Sequence, residues 1–331
     1  MIKAYTSLRL HAEHWGDMQI NKSFEHKLIQ KAIKHYKYGE AIDQDAASSE
    51  FFRGYSYLTY GKHLKENAPI LYVALNGTPN CNHIAAKNLL FQGNDECWKF
   101  FERTAQFWCL PYSITKATVF IDLITFSMSY ALYVESADLV NMMLSKLNAD
   151  LDGDGYRNDS AYIKQQVHPS TYLTHFVIEK LGFPNSALEK VLKYGKGMGI
   201  YERIVTDWDT PFSDIEDEYW DSLCERHLNG ISVTGTKWQD EEFCSFGLIP
   251  MELINLFKAR QKLGLDVPEI KHELFATPMA VYPVIPTGYN PQLDVKFQLV
   301  ERTKKDIKRY TYEEIIEQLR LEHGENVELF Y

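Results

Sequence analysis

Apolar residues recur at helical spacing through most of this 331-residue chain. Residues 24–38, for example, place their large apolar side chains on one stripe and their Lys and His residues opposite it. A period of about 3.6 residues lets a helix bury one face and expose the other. The same pattern predicts helices over 94–107, 117–134, 136–147, 170–181, 186–194, 214–227, 250–263 and 312–323. The sequence therefore predicts an all-α fold, mostly a helical bundle, with at most a few short strands near the C-terminus.

Local signals mark helix ends and two departures from the helical pattern. Thr311 with Glu314 forms a capping box, and Gly324 follows the last periodic residue of the same segment. The ILYVAL stretch at 70–75 is compatible with a short strand or a buried turn of helix. The alternating VKFQLV stretch at 295–300 is compatible with a strand.

The most apolar stretch is ATVFIDLITFSMSYALYV, at 117–134. It contains Asp122 and several hydroxyl residues, and no cluster of Lys or Arg flanks it. Bilayer spans avoid central charges and carry basic flanks. The stretch therefore favours a buried helix at the centre of a bundle, and no membrane partner is expected.

Charge is distributed unevenly along the chain. Residues 1–150 hold 15 Lys plus Arg and 15 Asp plus Glu, so the other 20 basic and 30 acidic residues account for the whole net charge of −10. Affinity for phosphates depends on Lys and Arg, so this balance argues against direct nucleic-acid binding. We expect a neutral helical region at 1–150, an acidic helical module at 151–280, and a Pro-rich segment with a packed C-terminal helix at 281–331.

Cysteine usage bears on the redox compartment. The five cysteines are widely spaced and form no CxxC pair, which argues against a disulfide framework or a zinc ribbon. The first fifteen residues lack the apolar core and cleavage site of a secretory signal. We therefore expect a cytoplasmic protein with reduced thiols.

The strongest functional signal is the run Asp207–Glu225, which holds eight carboxylates in nineteen residues and no Lys or Arg. Large aromatic residues among acids suit capture of a basic partner, because they offer desolvated anchors in a negative field. The alternative is an ordinary solvated helix face with Trp208 and Trp220 in the core. The predicted partner-binding residues are Asp207, Trp208, Asp209, Asp214, Glu216, Asp217, Glu218, Tyr219, Asp221, Glu225, Asp240, Glu241 and Glu242.

A calcium loop is a weaker interpretation of residues 148–159. Four of them occupy calcium-loop positions 1, 3, 5 and 12, and Gly153 occupies position 6. The four are Asn148, Asp150, Asp152 and Asp159. However, position 8 is Gly155 and position 12 is Asp instead of a bidentate Glu. The pattern therefore favours a turn between helices over a metal site.

Signatures of catalysis are absent from the sequence. HExxH, GxSxG, a P-loop and a dinucleotide fingerprint are all missing, so we expect neither an enzyme nor a cofactor. The glycines of YGKGMGIY, at 194–201, follow a predicted helix and indicate an interhelical turn instead of a phosphate cradle. His168, His175 and His227 are candidate metal ligands only if the fold gathers them, and otherwise are structural histidines.

The segment from Trp238 to Pro278 has a recognisable order of features. An aromatic and glycine-containing entry leads into a helix with an early Glu, then a Leu/Asp turn and a closing proline: Phe246, Gly247, Glu252, Leu265, Asp266 and Pro278. With the Tyr- and Trp-bearing helices upstream, this pattern resembles the PoNi-type immunity proteins, helical bacterial proteins that neutralise PoNe-type DNase toxins. The resemblance covers roughly residues 120–280. Early in a helix behind Pro250, Glu252 itself suits capping or a buried hydrogen bond.

The resemblance implies a non-catalytic antitoxin, and the charge pattern is compatible with it. On this interpretation the partner is a cognate basic nuclease toxin, and the acidic run covers its DNA-binding or active-site surface. Two alternatives remain from the sequence. One is a metal-dependent helical hydrolase that uses the acids of 150–159 or 207–221 with histidines, and the other is a helical adaptor that binds an ordinary basic protein.

Overall fold

The structure is a computed structural model, and it confirms the all-α prediction. It describes residues 82–83, 86–87, 89–90, 93–114, 120–153, 167–195, 197–230, 242–243, 246–247, 249–283, 288–295, 297–298, 301–302 and 312–327. Helices dominate this part of the chain, and it contains no β-sheet. The helix predicted at 24–38 and the ILYVAL stretch at 70–75 lie outside the described residues.

Nine α-helices occur in the described residues. They are α1 (Cys97–Ile114), α2 (Ile121–Tyr133), α3 (Ala137–Asp152), α4 (Pro169–Lys180), α5 (Leu188–Val191), α6 (Glu202–Thr206), α7 (Asp217–Asn229), α8 (Met251–Lys262) and α9 (Tyr312–His323). Short 3₁₀ turns occur at Gly199–Tyr201, Phe212–Asp214 and Pro278–Ala280. These bounds match most predicted segments closely.

Helices α2 to α8 belong to one compact unit of the chain. Within it, α2 packs against α3, α4 and α8, and α4 also packs against α8. Helix α2 precedes position 150, α3 spans it, and α4 and α8 follow it, so this unit contains residues from both sides of that position. The division of the chain into regions 1–150, 151–280 and 281–331 stays a prediction.

Helix α8 is the most enclosed element of this unit. Every residue from Met251 to Arg260 is buried, including Glu252, Lys258 and Arg260. Buried charges need partners, because an isolated charge out of water is very unfavourable. Lys258 donates to the backbone oxygen of Tyr133 at 2.8 Å and pairs with Glu135 at 2.9 Å. The polar residues of α8 therefore link it to its neighbours while its apolar residues form the core.

The hydroxyl residues of the apolar stretch 117–134 include Thr125 and Ser129 of α2, whose side chains form hydrogen bonds to α4. Thr125 Oγ1 shares a 3.0 Å hydrogen bond with Nε2 of His175, and Ser129 Oγ shares one of 3.1 Å with Thr174. Asn255 donates to the Ser129 carbonyl at 2.9 Å. In its described residues the stretch is thus a buried helix, as predicted, and it meets α4 and α8. Residues 117–119 lie outside the described part of the chain. Among the residues that the structure describes, no helix is both long and apolar enough to cross a bilayer.

The second compact unit includes α1 from Lys99 onward, the residues after Pro286 and α9. Its core contains a buried ion pair, in which Arg103 Nε donates to Asp294 at 2.6 Å, with both side chains almost fully enclosed. Tyr289 also donates to Asp294 at 2.9 Å. Phe107 contacts Phe297 edge-on, with ring centroids 5.6 Å apart.

Asp294 also explains why the predicted strand at 295–300 is wrong in its described residues. Val295, Phe297 and Gln298 are helical. The Asp294 carboxylate accepts the Phe297 N–H at 3.2 Å, and its carbonyl accepts the Gln298 N–H at 2.9 Å, so Asp294 caps a helical turn. The alternation of apolar residues was real, but the capping residue before it determined the conformation.

Candidate functional site

The acidic run Asp207–Glu225 covers the loop after α6, a 3₁₀ turn and the first part of α7. Asp217 and Glu218 lie in the first turn of α7, and Arg226 and His227 lie in its last turn. Acids at the N-terminus and bases at the C-terminus stabilise the partial charges of a helix. The order of charges in the sequence therefore favours a helix that begins where the acids are densest.

Helix α7 separates its acids from its apolar residues. Its buried side chains, at spacings i, i+3, i+4 and i+7, are Trp220, Leu223, Cys224 and His227. Its exposed acids are Asp217, Glu218, Asp221 and Glu225. At about 100° per residue these four acids fall within an arc of roughly 100°, separate from the arc of the buried side chains. We refer to these four, together with exposed Asp209, Asp214 and Glu216 and half-buried Asp207, as the acidic surface.

Arg260 shapes the loop that begins the acidic surface. Its guanidinium is buried and donates to the carbonyls of Trp208 and Thr210 at 2.5 and 3.1 Å, and to the Asp266 carboxylate at 2.7 Å. It also lies 3.4 Å from the centroid of the Phe212 ring. One side chain of α8 therefore holds both ends of the loop from Trp208 to Phe212.

Asp266 completes this attachment from the other side. Its carboxylate accepts the backbone N–H groups of Phe212 and Ser213 at 3.1 and 2.8 Å. Partial burial by itself raises the pKa of Asp266, but these hydrogen bonds and the one from Arg260 outweigh it and lower the pKa to about 2. The charged form of Asp266 is thus the one that fits the 3₁₀ turn.

Trp208 corrects the predicted set of anchors. Its side chain is only 4% exposed, and its ring meets Phe176 and Phe212 edge-on, with centroids 5.2 and 6.1 Å away. A partner cannot reach a side chain placed in this way. Trp208 and Trp220 both belong to the core, as the alternative interpretation of the run proposed.

Glu242, one of the last three predicted acids, also needs correction. The side chain of Glu242 is 1% exposed; it pairs with Arg226 and accepts the backbone N–H of Ser170 at 2.8 Å. Glu242 therefore supports the interior and offers no contact to a partner. Asp240 and Glu241 lie outside the described residues.

Ion pairs occupy part of the acidic surface. Arg203 binds Glu216 through two nitrogens and also approaches Asp207 at 3.3 Å. Its hydrogen bond lowers the pKa of Glu216 to about 2. Lys271 pairs with Asp217 at 2.8 Å, and His272 Nε2 shares a hydrogen bond with Glu225 at 3.1 Å. Of the eight acids of the acidic surface, four have no basic partner among the described residues: Asp209, Asp214, Glu218 and Asp221.

Tyr219 gives the acidic surface an apolar edge. Its ring is half-buried, its hydroxyl donates to the Ile200 carbonyl at 2.8 Å, and the Arg203 guanidinium lies 4.9 Å from the ring centroid. The Ile200 side chain is exposed. A rigid, partly exposed aromatic ring beside an aliphatic side chain is the kind of anchor that contributes strongly to interfaces. Of the two predicted aromatic contacts, Tyr219 is the accessible one.

The fold does not gather the three candidate histidines. His168 lies by Asp122, His175 bonds Thr125, and His227 lies between Glu252 and Gly247. In the described ranges no group of three or more His, Cys, Asp and Glu residues is arranged to hold a metal ion. Each of these histidines has a separate structural environment.

The start of the calcium-like segment is helical, not looped. Asn148, Asp150 and Asp152 extend α3 beyond its predicted end at Leu147, and Asp152 points to the opposite side from Asp150 by helical period. Lys146 donates to Asp150 at 2.6 Å, and Lys190 donates to Asn148 and Asp152 at 2.7 and 2.8 Å. These oxygens therefore do not converge on one point, whereas Gly155 and Asp159 lie outside the described residues.

The glycines at 194–201 fulfil the turn prediction. Gly195, Gly197 and Gly199 all have positive φ and connect α5 with a 3₁₀ turn. At Gly195, an added Cβ would lie 2.9 Å from the Cβ of Val167 and would collide with the Tyr172 hydroxyl. Glycine is required there for conformation and for space, without any phosphate.

Sequence reasoning missed the buried pair of His227 and Glu252. His227 Nδ1 lies 2.8 Å from a Glu252 oxygen, and Nε2 lies 2.7 Å from the Gly247 carbonyl. Both side chains are enclosed. Glu252 was expected to cap a helix or make a buried hydrogen bond, and the second role is the observed one. No signal in the sequence joined these two residues.

Comparison with protein-family models, curated proteins and solved structures gave no match to this chain.

Proposed function

We propose that this chain is a cytoplasmic immunity protein that binds a cognate basic nuclease toxin through the acidic surface. The observation that carries the proposal is the set of exposed carboxylates without ion pairs among the described residues, at Asp209, Asp214, Glu218 and Asp221. Unpaired exposed acids retain their full attraction for an incoming cation. The resemblance of residues 120–280 to the PoNi-type family supports the same assignment.

Occlusion is the mechanism that such a surface favours. A nuclease must present Lys and Arg to hold the phosphates of DNA. Carboxylates on the immunity protein compete for the same cations, and complementary fields accelerate the encounter. Inhibition then requires no catalysis and no cofactor. It requires only that the complex dissociates slowly enough to keep DNA from the nuclease.

Tyr219 and Ile200 supply the apolar contact that charge alone does not provide. Charges at the rim of an interface mainly change the association rate, whereas buried aromatic anchors mainly slow dissociation. The hydrogen bond from Tyr219 to Ile200 fixes the ring before binding, so little side-chain freedom is lost on contact. We therefore place the centre of the interface near Tyr219.

Two other functions use parts of the same observations. An adaptor for an ordinary basic protein would use the same acidic surface, so only the identity of the partner separates it from an immunity protein. A metal-dependent hydrolase would require acids and histidines at one point. In the described part of the chain the candidate ligands lie apart, so the hydrolase has less support.

The first test is whether a gene that neighbours this chain's own encodes a basic nuclease, and the second is co-expression of this chain with that nuclease in a bacterial host. The wild-type chain is expected to restore growth and to bind a catalytically inactive form of the toxin. The variant Asp214→Lys, Glu218→Lys, Asp221→Lys is expected to lose protection and at least about tenfold in affinity, because it reverses three charges at the surface.

A matched variant controls for net charge. Glu179→Lys, Glu189→Lys and Glu317→Lys change exposed acids outside the acidic surface by the same amount. It should protect the host as the wild-type chain does. Equal protection by both variants, with the fold intact by circular dichroism, would leave the acidic surface as solvated exterior. Tight binding to a basic protein that is not a nuclease would support the adaptor instead.

A further inference from the structure

Two carboxylates from different parts of the chain hold the start of α4. Asp122, in the first turn of α2, accepts the His168 backbone N–H at 3.1 Å and the Thr171 hydroxyl at 2.5 Å. Glu242 accepts the Ser170 backbone N–H at 2.8 Å. The first N–H groups of a helix have no partner within the helix. These acids therefore satisfy donors that would otherwise be unpaired in a largely buried position.

The surroundings of Asp122 contain several other ionisable groups. From the α4 side, His168 lies 3.9 Å away through its ring, and Tyr172 also acts on Asp122 electrostatically. From the segment before α8, Glu242 faces the same helix start, and Arg226 of α7 pairs with Glu242. Asp122 and Glu242 therefore lie at the same helix terminus, and Arg226 pairs with Glu242.

The balance of these effects disfavours a charged Asp122. Burial raises its pKa to about 6, although attraction to His168 and the hydrogen bonds from Thr171 and the His168 N–H act in the opposite direction. Repulsion from Glu242 adds to the increase. A carboxyl released to solvent has a pKa near 3.8. Asp122 therefore binds a proton more tightly when it is buried against the start of α4 (the closed state) than when that contact opens to solvent (the open state).

We propose that Asp122 and Glu242 form a proton-sensitive clamp on the first turn of α4, which is tighter when Asp122 is uncharged. The sign follows from linkage: stability from a group with a raised pKa is present at low pH and is lost as pH rises through the folded-state value. The start of α4 should open more often as pH increases from 5 to 7. A pKa of about 6 in the closed state and of 3.8 in the open state corresponds to a change of roughly tenfold in the opening equilibrium between pH 5 and pH 7.

Amide hydrogen exchange of the full chain, corrected for intrinsic rates, tests the clamp. The amides of His168, Ser170 and Thr171 are expected to lose protection roughly tenfold between pH 5 and pH 7. Asp122→Asn keeps the oxygen that accepts both hydrogen bonds and removes the titration, so its protection should not vary over this range. His168→Gln removes the neighbouring imidazole, and this variant should keep the dependence on pH.

Amides in the middle of α8 serve as the internal reference. Exchange of these amides reports opening of the core. If the clamp acts locally, the pH dependence of exchange at the start of α4 should differ from that in α8. An identical slope at α8 would mean global unfolding and would overturn the proposal. So would an unchanged slope in Asp122→Asn, or a flat profile in the wild-type chain.

Discussion

At the residue scale, single buried side chains join segments that lie far apart in the sequence. Glu252 was expected to make a buried hydrogen bond or a cap, yet its bond to His227 joins positions 25 residues apart. Arg260 gave no sequence signal at all, although it holds the loop between Trp208 and Phe212. Partners of this kind depend on how helices cross, and local spacing contains no information about that crossing.

His175 provides a prediction about acid stability. Burial lowers its pKa to about 3, and its Nδ1 has no hydrogen-bond partner among the described residues. Because the unfolded chain binds the proton near pH 6.5, stability from neutral His175 is present above that pH and is lost as pH falls towards 3. His175→Gln cannot titrate, so its stability should fall less between pH 7 and pH 4, by about 3 kcal/mol.

Urea unfolding of both proteins at the two pH values measures this difference. Other groups, Asp122 included, titrate equally in the wild-type chain and the variant and cancel in the comparison. The prediction is wrong if the two proteins lose the same stability on acidification, since His175 would then bind a proton equally well in both states.

At the element scale, helical periodicity located most described helices, and local hydrogen bonds determined where they end. Helix α3 continues past Leu147 because Lys146 and Lys190 satisfy the acids beyond it. Helix α5 spans only Leu188–Val191 of the predicted 186–194, since the following N–H groups make i→i−3 bonds into a glycine turn. Both interpretations of the acidic run were partly correct: the acids of α7 are exposed, and Trp208, in the loop after α6, lies in the core. Periodicity could not decide the burial of Trp208, because that residue lies outside the helices.

The attachment of the acidic loop to α8 gives a second prediction. Arg260→Leu removes the donors to Trp208, Thr210 and Asp266, and leaves those oxygens without their buried partner. We expect a loss of about 3 kcal/mol in the free energy of unfolding, measured with urea. Lys271→Ala breaks an exposed pair with Asp217, and its effect on the free energy of unfolding should be far smaller. Similar losses in the two variants would show that Arg260 does not anchor the loop.

At the scale of the whole molecule, the sequence predicted an all-α protein from helical periodicity and placed its excess acid in the second half of the chain from the count of charges. It did not predict that α1 and the residues after Pro286 would form one compact unit, because these segments are far apart in sequence. Nor did it show which acids are neutralised. Arg203 and Lys271 pair with acids of the run, so the number of charges in the sequence exceeds the number available to a partner.

The last prediction separates the acidic surface from the net charge of −10. At about 0.15 M salt the screening length is roughly 8 Å, so only charges near the interface accelerate association. At about 0.01 M it is roughly 30 Å, and charges elsewhere contribute. In stopped-flow mixing with the inactive toxin, the variant at Asp214, Glu218 and Asp221 should associate slowly at both salt concentrations. The control variant at Glu179, Glu189 and Glu317 should be slow only at the lower one, and equal slowing of the two variants at 0.15 M would assign the attraction to net charge instead of this surface.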